Sequence, residues 1–160
     1  MTIGVGDKVP SVTIQHKTAD GIDQVSTDEF FAGRKVVLFA VPGAFTPTCS
    51  LKHLPGFIAN ADAILAKGVD EIACLAVNDA FVMDAWGADQ GAAGKVTMLA
   101  DGSAKLTQAL GLDLDLVERG LGNRSQRYAM VVEDGTVTLL NVEESGQFEA
   151  SSAETILAAL

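Results

Sequence analysis

Three seven-residue apolar runs, Lys35 to Val41 (KVVLFAV), Glu71 to Val77 (EIACLAV) and Arg127 to Glu133 (RYAMVVE), recur along the chain with amphipathic stretches between them. None alternates apolar with polar residues, so each must be covered on both faces, as strands in the middle of a helix-flanked sheet are. That pattern predicts an α/β fold. A shorter run, Val96 to Ala100, supplies a further strand. After Glu133 the dipeptide Asp134-Gly135 precedes TVTLLNV, a hairpin signal that makes part of the sheet antiparallel and the whole sheet mixed. With 160 residues, 48% of them hydrophobic, and no repeat or low-complexity linker, the chain reads as a single domain over 1–160.

Helix starts are placed by their caps. Ser26 with Glu29 and Ser151 with Glu154 fit the capping box, while Asn78 and Ser103 are candidate N-caps. The expected helices lie near 27–32, 79–90, 103–110 and 152–160. A fifth begins at Pro47, after the first strand, and runs to about Lys67, kinked at Pro55-Gly56.

Charge and cysteine usage exclude several classes. Eleven Lys plus Arg against twenty-one Asp plus Glu give a net charge of -10, the wrong sign for holding nucleic acid or an anionic membrane surface. The longest charge-free stretch, Val36 to Leu51, is too short to span a bilayer and is broken by Pro42 and Pro47. The opening MTIGVGDKVP lacks the pattern of a signal peptide. The two cysteines, Cys49 and Cys74, form no C-x-x-C and belong to no zinc-spaced cluster, so a cytoplasmic protein without metal is expected. No Gly-rich phosphate-binding pattern follows a strand, and no cofactor is expected.

The segment PGAFTPTC, Pro42 to Cys49, joins the first strand to the long helix. Thr46 suits the N-cap and Pro47 the first helical position, where a missing N–H costs nothing and a preset φ helps. Cys49 then falls third in the helix. There the free N–H groups and the positive end of the helix dipole favour an anion, so a nucleophilic thiolate forms readily. Taken singly, a cysteine is most often a core residue, Thr46 a cap and Pro42 a turn. The joint spacing, a proline, then threonine four residues on and cysteine three further, distinguishes this segment.

The strings VPGAFTPTCSLKHLPGF (Val41 to Phe57), VNDAFVMDAWG (Val77 to Gly87) and RYAMVVEDG (Arg127 to Gly135) resemble the type II peroxiredoxins over essentially the whole chain. The resemblance implies a thioredoxin-like fold and a thiol peroxidase for hydrogen peroxide and alkyl hydroperoxides. It also implies that Cys49 attacks the peroxide, Thr46 holds a peroxide oxygen, Arg127 sits beside the sulfur and Pro42 shields the site. A homodimer built around the active-site loop and the Phe81 to Trp86 segment is implied as well.

Those roles make chemical sense. Attack of a thiolate on one peroxide oxygen puts charge on the other, and a guanidinium both favours the thiolate and donates to the transition state. His53, four residues after Cys49, is read as structural rather than as a catalytic base, since no orienting group or oxyanion hole accompanies it. Cys74 lies in an apolar strand and reads as core; the alternative is a resolving thiol that forms a disulfide with Cys49. Some relatives carry a resolving cysteine near the C-terminus, but GQFEASSAETILAAL has none. Arg119, Arg124 and Arg127 fall within nine residues, either as a positive patch able to steer an anionic reductant such as glutathione or, the more common outcome for Arg119 and Arg124, as solvated loop charges; glutaredoxin and thioredoxin are the other candidate donors. A thiol-disulfide oxidoreductase would need C-x-x-C, yet Thr46 and Lys52 stand three residues either side of Cys49, and a scaffold without activity would not keep Thr46, Cys49 and Arg127 together.

Overall fold

The apolar runs occupy the centre of a seven-stranded sheet in the computed structural model, which describes residues 2–160. β1 (Thr13–Thr18) and β2 (Gly21–Ser26) form one edge hairpin, followed in sequence by β3 (Lys35–Ala40), β4 (Glu71–Ala76) and β5 (Thr97–Ala100). A separate two-stranded ribbon pairs β6 (Asp113–Leu116) with β7 (Gly122–Ser125), and β8 (Tyr128–Glu133) with β9 (Thr136–Val142) complete the main sheet. The order across it is β2-β1-β5-β4-β3-β8-β9. β3, β4 and β5 are parallel while β8 runs antiparallel to β3, giving the mixed sheet that the pattern predicted and the thioredoxin-like arrangement that the resemblance implied. Asp134 (φ 49°) and Gly135 (φ 79°) turn β8 into β9 with the two positive φ angles that an Asp-Gly hairpin supplies.

Alternate residues of the central strands feed two separate cores. Val37, Phe39 and Val41 point with Ile72, Cys74 and Ala76 to one face, and Val36, Leu38 and Ala40 point with Ala73 and Leu75 to the other. The first face is covered by α2 (Leu54–Ala59), α3 (Ala61–Leu65), α4 (Ala80–Gln90) and α6 (Ala153–Ala159). The second is covered by α1 (Thr27–Phe31) and α5 (Lys105–Leu110).

The caps differ from those expected, because side chains far apart in sequence compete for the same groups. Ser26 ends β2 opposite Thr13 and its side chain caps nothing; the Thr27 hydroxyl ties the corner by donating to the Pro10 carbonyl. Asp79, not Asn78, caps α4 by accepting from the Val82 N–H at 2.8 Å, because Asn78 is engaged elsewhere. Ser103 is displaced by the buried Asp101, whose carboxylate accepts from the N–H groups of Leu106 and Thr107. Ser152, not Ser151, caps α6, since the Ser151 hydroxyl donates to Glu143. The helix expected over 47–67 is three pieces, a π-helical turn at Cys49–His53 followed by α2 and α3. Pro55 explains the π turn: it offers no N–H to the carbonyl four residues back, and the ladder slips so that the Leu54 N–H donates to the Cys49 carbonyl. The β1–β2 hairpin and the β6–β7 ribbon are short, largely exposed structures: β1, β2 and β7 carry no apolar alternation, and β6 (DLDL) alternates over only four residues.

Candidate active site

β3 ends in the core, and the chain turns over the edge of the sheet before re-entering it as a helix at Pro47. The Ser50 N–H donates to the Thr46 carbonyl at 2.9 Å, which closes the first turn and makes Cys49 its third residue, as the spacing predicted. The Thr46 side chain departs from a plain cap. Its hydroxyl donates to the Gly43 carbonyl at 2.7 Å, leaving the oxygen lone pairs directed away from that bond. Phe45, at φ 64°, forces the loop through a left-handed kink, and the Ala44 N–H is anchored on the Asn78 Oδ1 at 2.9 Å, across from the end of β4.

Arg127 immediately precedes β8, which runs beside β3, so the sheet itself carries the guanidinium to the Cys49 helix. Its Nη2 donates to the Cys49 Sγ at 3.1 Å and its Nη1 donates to the His53 Nδ1 at 2.8 Å. The Arg127 carbonyl accepts from the Glu143 N–H at 2.9 Å, which pins the backbone from β9's end. Arg127 is therefore no surface charge at a strand start.

His53 is fully buried among Phe39, Phe57 and Phe148. Its Nε2–H donates to the Ser151 carbonyl at 2.9 Å, so Nδ1 is the lone-pair nitrogen and accepts from Arg127. Burial, then the neighbouring Arg127 charge, hold its pKa down to about 3, and the ring is neutral. With its one basic nitrogen engaged by Arg127, His53 is not a base for Cys49. Further out, the Glu143 carboxylate accepts from the Ser151 N–H at 2.8 Å, the Ser151 hydroxyl at 2.7 Å and the Glu149 N–H at 2.7 Å. Partial burial, the largest influence on that carboxyl, works to raise its pKa, and these bonds together overcome it and hold it below the ordinary range.

A cavity of about 430 Å³ opens onto this cluster, lined by Pro42, Thr46, Thr48 and Arg127 on the thiol side and by Leu114, Leu116 and Leu121 of the β6–β7 ribbon opposite. Cys49 is completely buried beside those residues and is not part of the cavity wall itself. Arg119 also lines the cavity, whereas Arg124 turns to the loop, donating from Nη1 to the Pro42 carbonyl at 3.2 Å.

Cys74 sits in the middle of β4, between Phe39 of β3 and Met98 of β5, in the same apolar cluster as Cys49. Both cysteines are free. Burial, reinforced by the nearby Cys49, pushes the Cys74 thiol well up and keeps it protonated. Among the described residues no three His, Cys, Asp or Glu side chains converge to hold a metal.

The sequence marks Pro42, Thr46, Cys49 and Arg127, and the fold brings all four together. It does not reveal Asn78 as a loop anchor, Arg124 as a clamp, or Glu143 and Ser151 as the support for His53. The bonds from Asn78 to Ala44, from Arg124 to Pro42 and from His53 to Ser151 join residues 34 to 98 positions apart, with no local signal beyond the residue types.

The redoxin family profile matches residues 4–157. Across 99% of its length the chain is 56% identical to Peroxiredoxin-2E-2, chloroplastic, of Oryza sativa subsp. japonica, covering 73% of that protein. It is 52% identical to Peroxiredoxin-2B of Arabidopsis thaliana, with 99% of the chain and 98% of the relative covered. Among solved structures, reduced Prx3 of Vibrio vulnificus in complex with H2O2 superposes with a TM-score of 0.96 at 56% identity, with 99% of each chain covered.

Proposed function

The chain belongs to the redoxin family and, within it, to the peroxiredoxins, thiol peroxidases; on that premise we propose that Cys49 reduces hydrogen peroxide and small alkyl hydroperoxides in a one-cysteine cycle recycled by glutathione and glutaredoxin. The observation that carries this is the Arg127 Nη2 to Cys49 Sγ contact of 3.1 Å at the edge of a cavity. The Cys49 thiolate attacks one oxygen of the peroxide, the O–O bond breaks, and its electron pair leaves on the second oxygen, which takes a proton as water or alcohol. Arg127 balances charge on the sulfur before attack and on the oxygens during it. Thr46, its own proton given to Gly43, accepts from the peroxide O–H. Pro42 walls the cavity and keeps bulk water from the sulfur.

The product is a sulfenic acid. Glutathione condenses with it, releasing water and forming a mixed disulfide, and a second glutathione or a glutaredoxin thiol takes the glutathionyl group and frees Cys49. A protonated Cys74 is a poor partner for that sulfenic acid, because the thiolate is the reactive form. Two free cysteines and a thiol donor suit a reducing compartment, and the cytoplasm is the location we assign. The exposed Phe45, Leu51 and Phe81, with Phe45 6.5 Å from the Trp86 ring, support a homodimer with this face covered by a second copy. Light scattering of the wild type and of Phe81→Glu tests that: a dimer that becomes a monomer supports it.

The deciding experiment supplies glutathione, glutaredoxin with glutathione, and the thioredoxin system separately and follows peroxide consumption. Turnover with the glutathione-based donors and a glutathione adduct on Cys49 by intact mass support the cycle. Turnover with thioredoxin alone overturns the choice of donor, and no turnover with any donor overturns the activity.

A further inference from the structure

Gly43 is a glycine whose backbone does not require one. Its φ lies outside the left-handed region, so its missing side chain answers to space and not to conformation. A Cβ there would meet the Arg124 Nη1 at 2.6 Å and the Thr46 methyl at 3.2 Å. The Nη1 end of the guanidinium thus abuts the turn that precedes Cys49. Arg124 is held from behind, with Nε donating to the Leu121 carbonyl at 2.8 Å, and it reaches forward to donate from Nη1 to the Pro42 carbonyl at 3.2 Å. Its register partner in the ribbon is Leu114, a residue of the cavity wall.

From this we infer that Arg124 is a positioning residue for Thr46. The two peptide carbonyls that matter are neighbours: Arg124 fixes that of Pro42, and the Thr46 hydroxyl donates to that of Gly43 at 2.7 Å. When the Pro42 carbonyl is held, the next peptide keeps its orientation and the Thr46 proton has one fixed acceptor. The oxygen then presents its lone pairs to the cavity as acceptors for a peroxide O–H. Released, the loop lets the hydroxyl rotate, and a hydroxyl that donates into the cavity no longer holds the substrate's proton. The fork is essential to this, since the guanidinium reaches two carbonyls with two separate nitrogens, Nε and Nη1, whereas a lysine gathers its donors on one nitrogen and lacks that spread. The inference rests on the role given to Thr46 above.

The test is a double-mutant cycle read by stopped-flow fluorescence of the single tryptophan, Trp86, which donates to the Ser50 Oγ at 2.9 Å beside Cys49. Arg124→Gln and Arg124→Lys should each slow the second-order oxidation of Cys49 by hydrogen peroxide roughly 10- to 100-fold, the scale of a misplaced reacting group. Gly43→Ala, which displaces the guanidinium from the opposite side, should do the same in a chain that keeps Arg124. The pH profile of Cys49 alkylation and the melting midpoint should not move with Arg124→Lys. Combined with Thr46→Val, Arg124→Lys should add nothing to the loss that Thr46→Val causes alone. Additive losses, or a wild-type rate in Arg124→Lys, overturn the inference, the second by showing that charge alone suffices. A wild-type rate in Thr46→Val overturns the role of Thr46 itself and this inference with it.

Discussion

His53 Nδ1 and Arg127 Nη1 meet at 2.8 Å with the imidazole as acceptor, so a neutral ring steadies a cation whose other amino group, Nη2, lies 3.1 Å from the Cys49 sulfur. The ring faces that way because its far nitrogen is committed to the Ser151 carbonyl, and Ser151 is itself held by Glu143. The C-terminal segment thereby reaches the thiol through two side chains, His53, which lies buried away from the cavity, and Arg127, which lines it.

Replacing His53 separates this steadying from simple filling of space. His53→Ala should slow Cys49 oxidation about 10- to 100-fold through a misdirected guanidinium, and it should lower stability by about 1–3 kcal/mol through the unpaired Ser151 carbonyl and the void. His53→Gln, whose amide can donate at one end and accept at the other, should recover most of the rate. Stopped-flow oxidation and urea unfolding of both variants check this; equal rates in the two would make His53 packing alone.

The buried imidazole also sets a pH dependence of stability. An unfolded histidine titrates near its ordinary value of 6.5 and the folded one at about 3, so between those limits the unfolded chain binds a proton that the native protein refuses. The contribution is whole above pH 6.5 and is lost as pH falls, by about 1.4 kcal/mol per pH unit, until the folded group titrates. Glu143, whose carboxyl is held low, adds loss in the same direction once pH drops through the carboxylate range. Unfolding free energies from urea titrations at pH 6.5 and pH 4.5 should differ by about 2 kcal/mol more for the wild type than for His53→Gln. Parallel curves would mean the histidine is protonated in the native state.

Arg127→Met should cut peroxide reduction by about 10²- to 10³-fold, since one change removes the neighbouring cation and a donor to the transition state. It also leaves the His53 Nδ1 without a donor in an aromatic pocket. Arg127→Lys should keep the thiol reactive toward alkylation but not the rate, because an ammonium cannot bond sulfur and imidazole with the same planar fork. A wild-type rate in either variant would remove Arg127 from the chemistry.

The fold was legible where burial imposed a pattern and obscure where it did not. β3, β4 and β8 are unbroken apolar runs because helices cover both their faces, whereas β2 and β6 are exposed and carry no such mark. Helix ends were misplaced because capping residues are polar groups with several possible partners: Asn78 serves the Ala44 N–H and Ser151 serves Glu143, each leaving the cap to its neighbour. At the site, Pro42, Thr46 and Cys49 lie within one turn of chain and could be read together. Arg127 stood out by its string alone, and what supports it, from His53 to Glu143, depends on contacts that only the folded sheet creates.

Cys74 gives the sharpest test of how Cys49 is recycled, because position and chemistry point in different directions. By position it is favoured as a resolving thiol, in the same apolar cluster as Cys49 and on the sheet face that the Cys49 helix covers. By chemistry it is disfavoured, since burial holds it protonated and the ladders of β3 and β5 hold its backbone on both sides. Forming a disulfide would also draw a sulfur out of a packed layer between Phe39 and Met98 and leave a void there, a change that requires local opening. Cys74→Ser should therefore keep most of the glutathione-supported turnover, and Cys74→Ala should cost only about 1 kcal/mol of stability as a small core truncation. Treating the wild type with one equivalent of peroxide in the absence of any thiol should add one oxygen to Cys49 by mass. A loss of two hydrogens instead, with peptide mapping that joins Cys49 to Cys74, together with an inactive Cys74→Ser, would make Cys74 the resolving residue and replace the one-cysteine cycle with an internal disulfide.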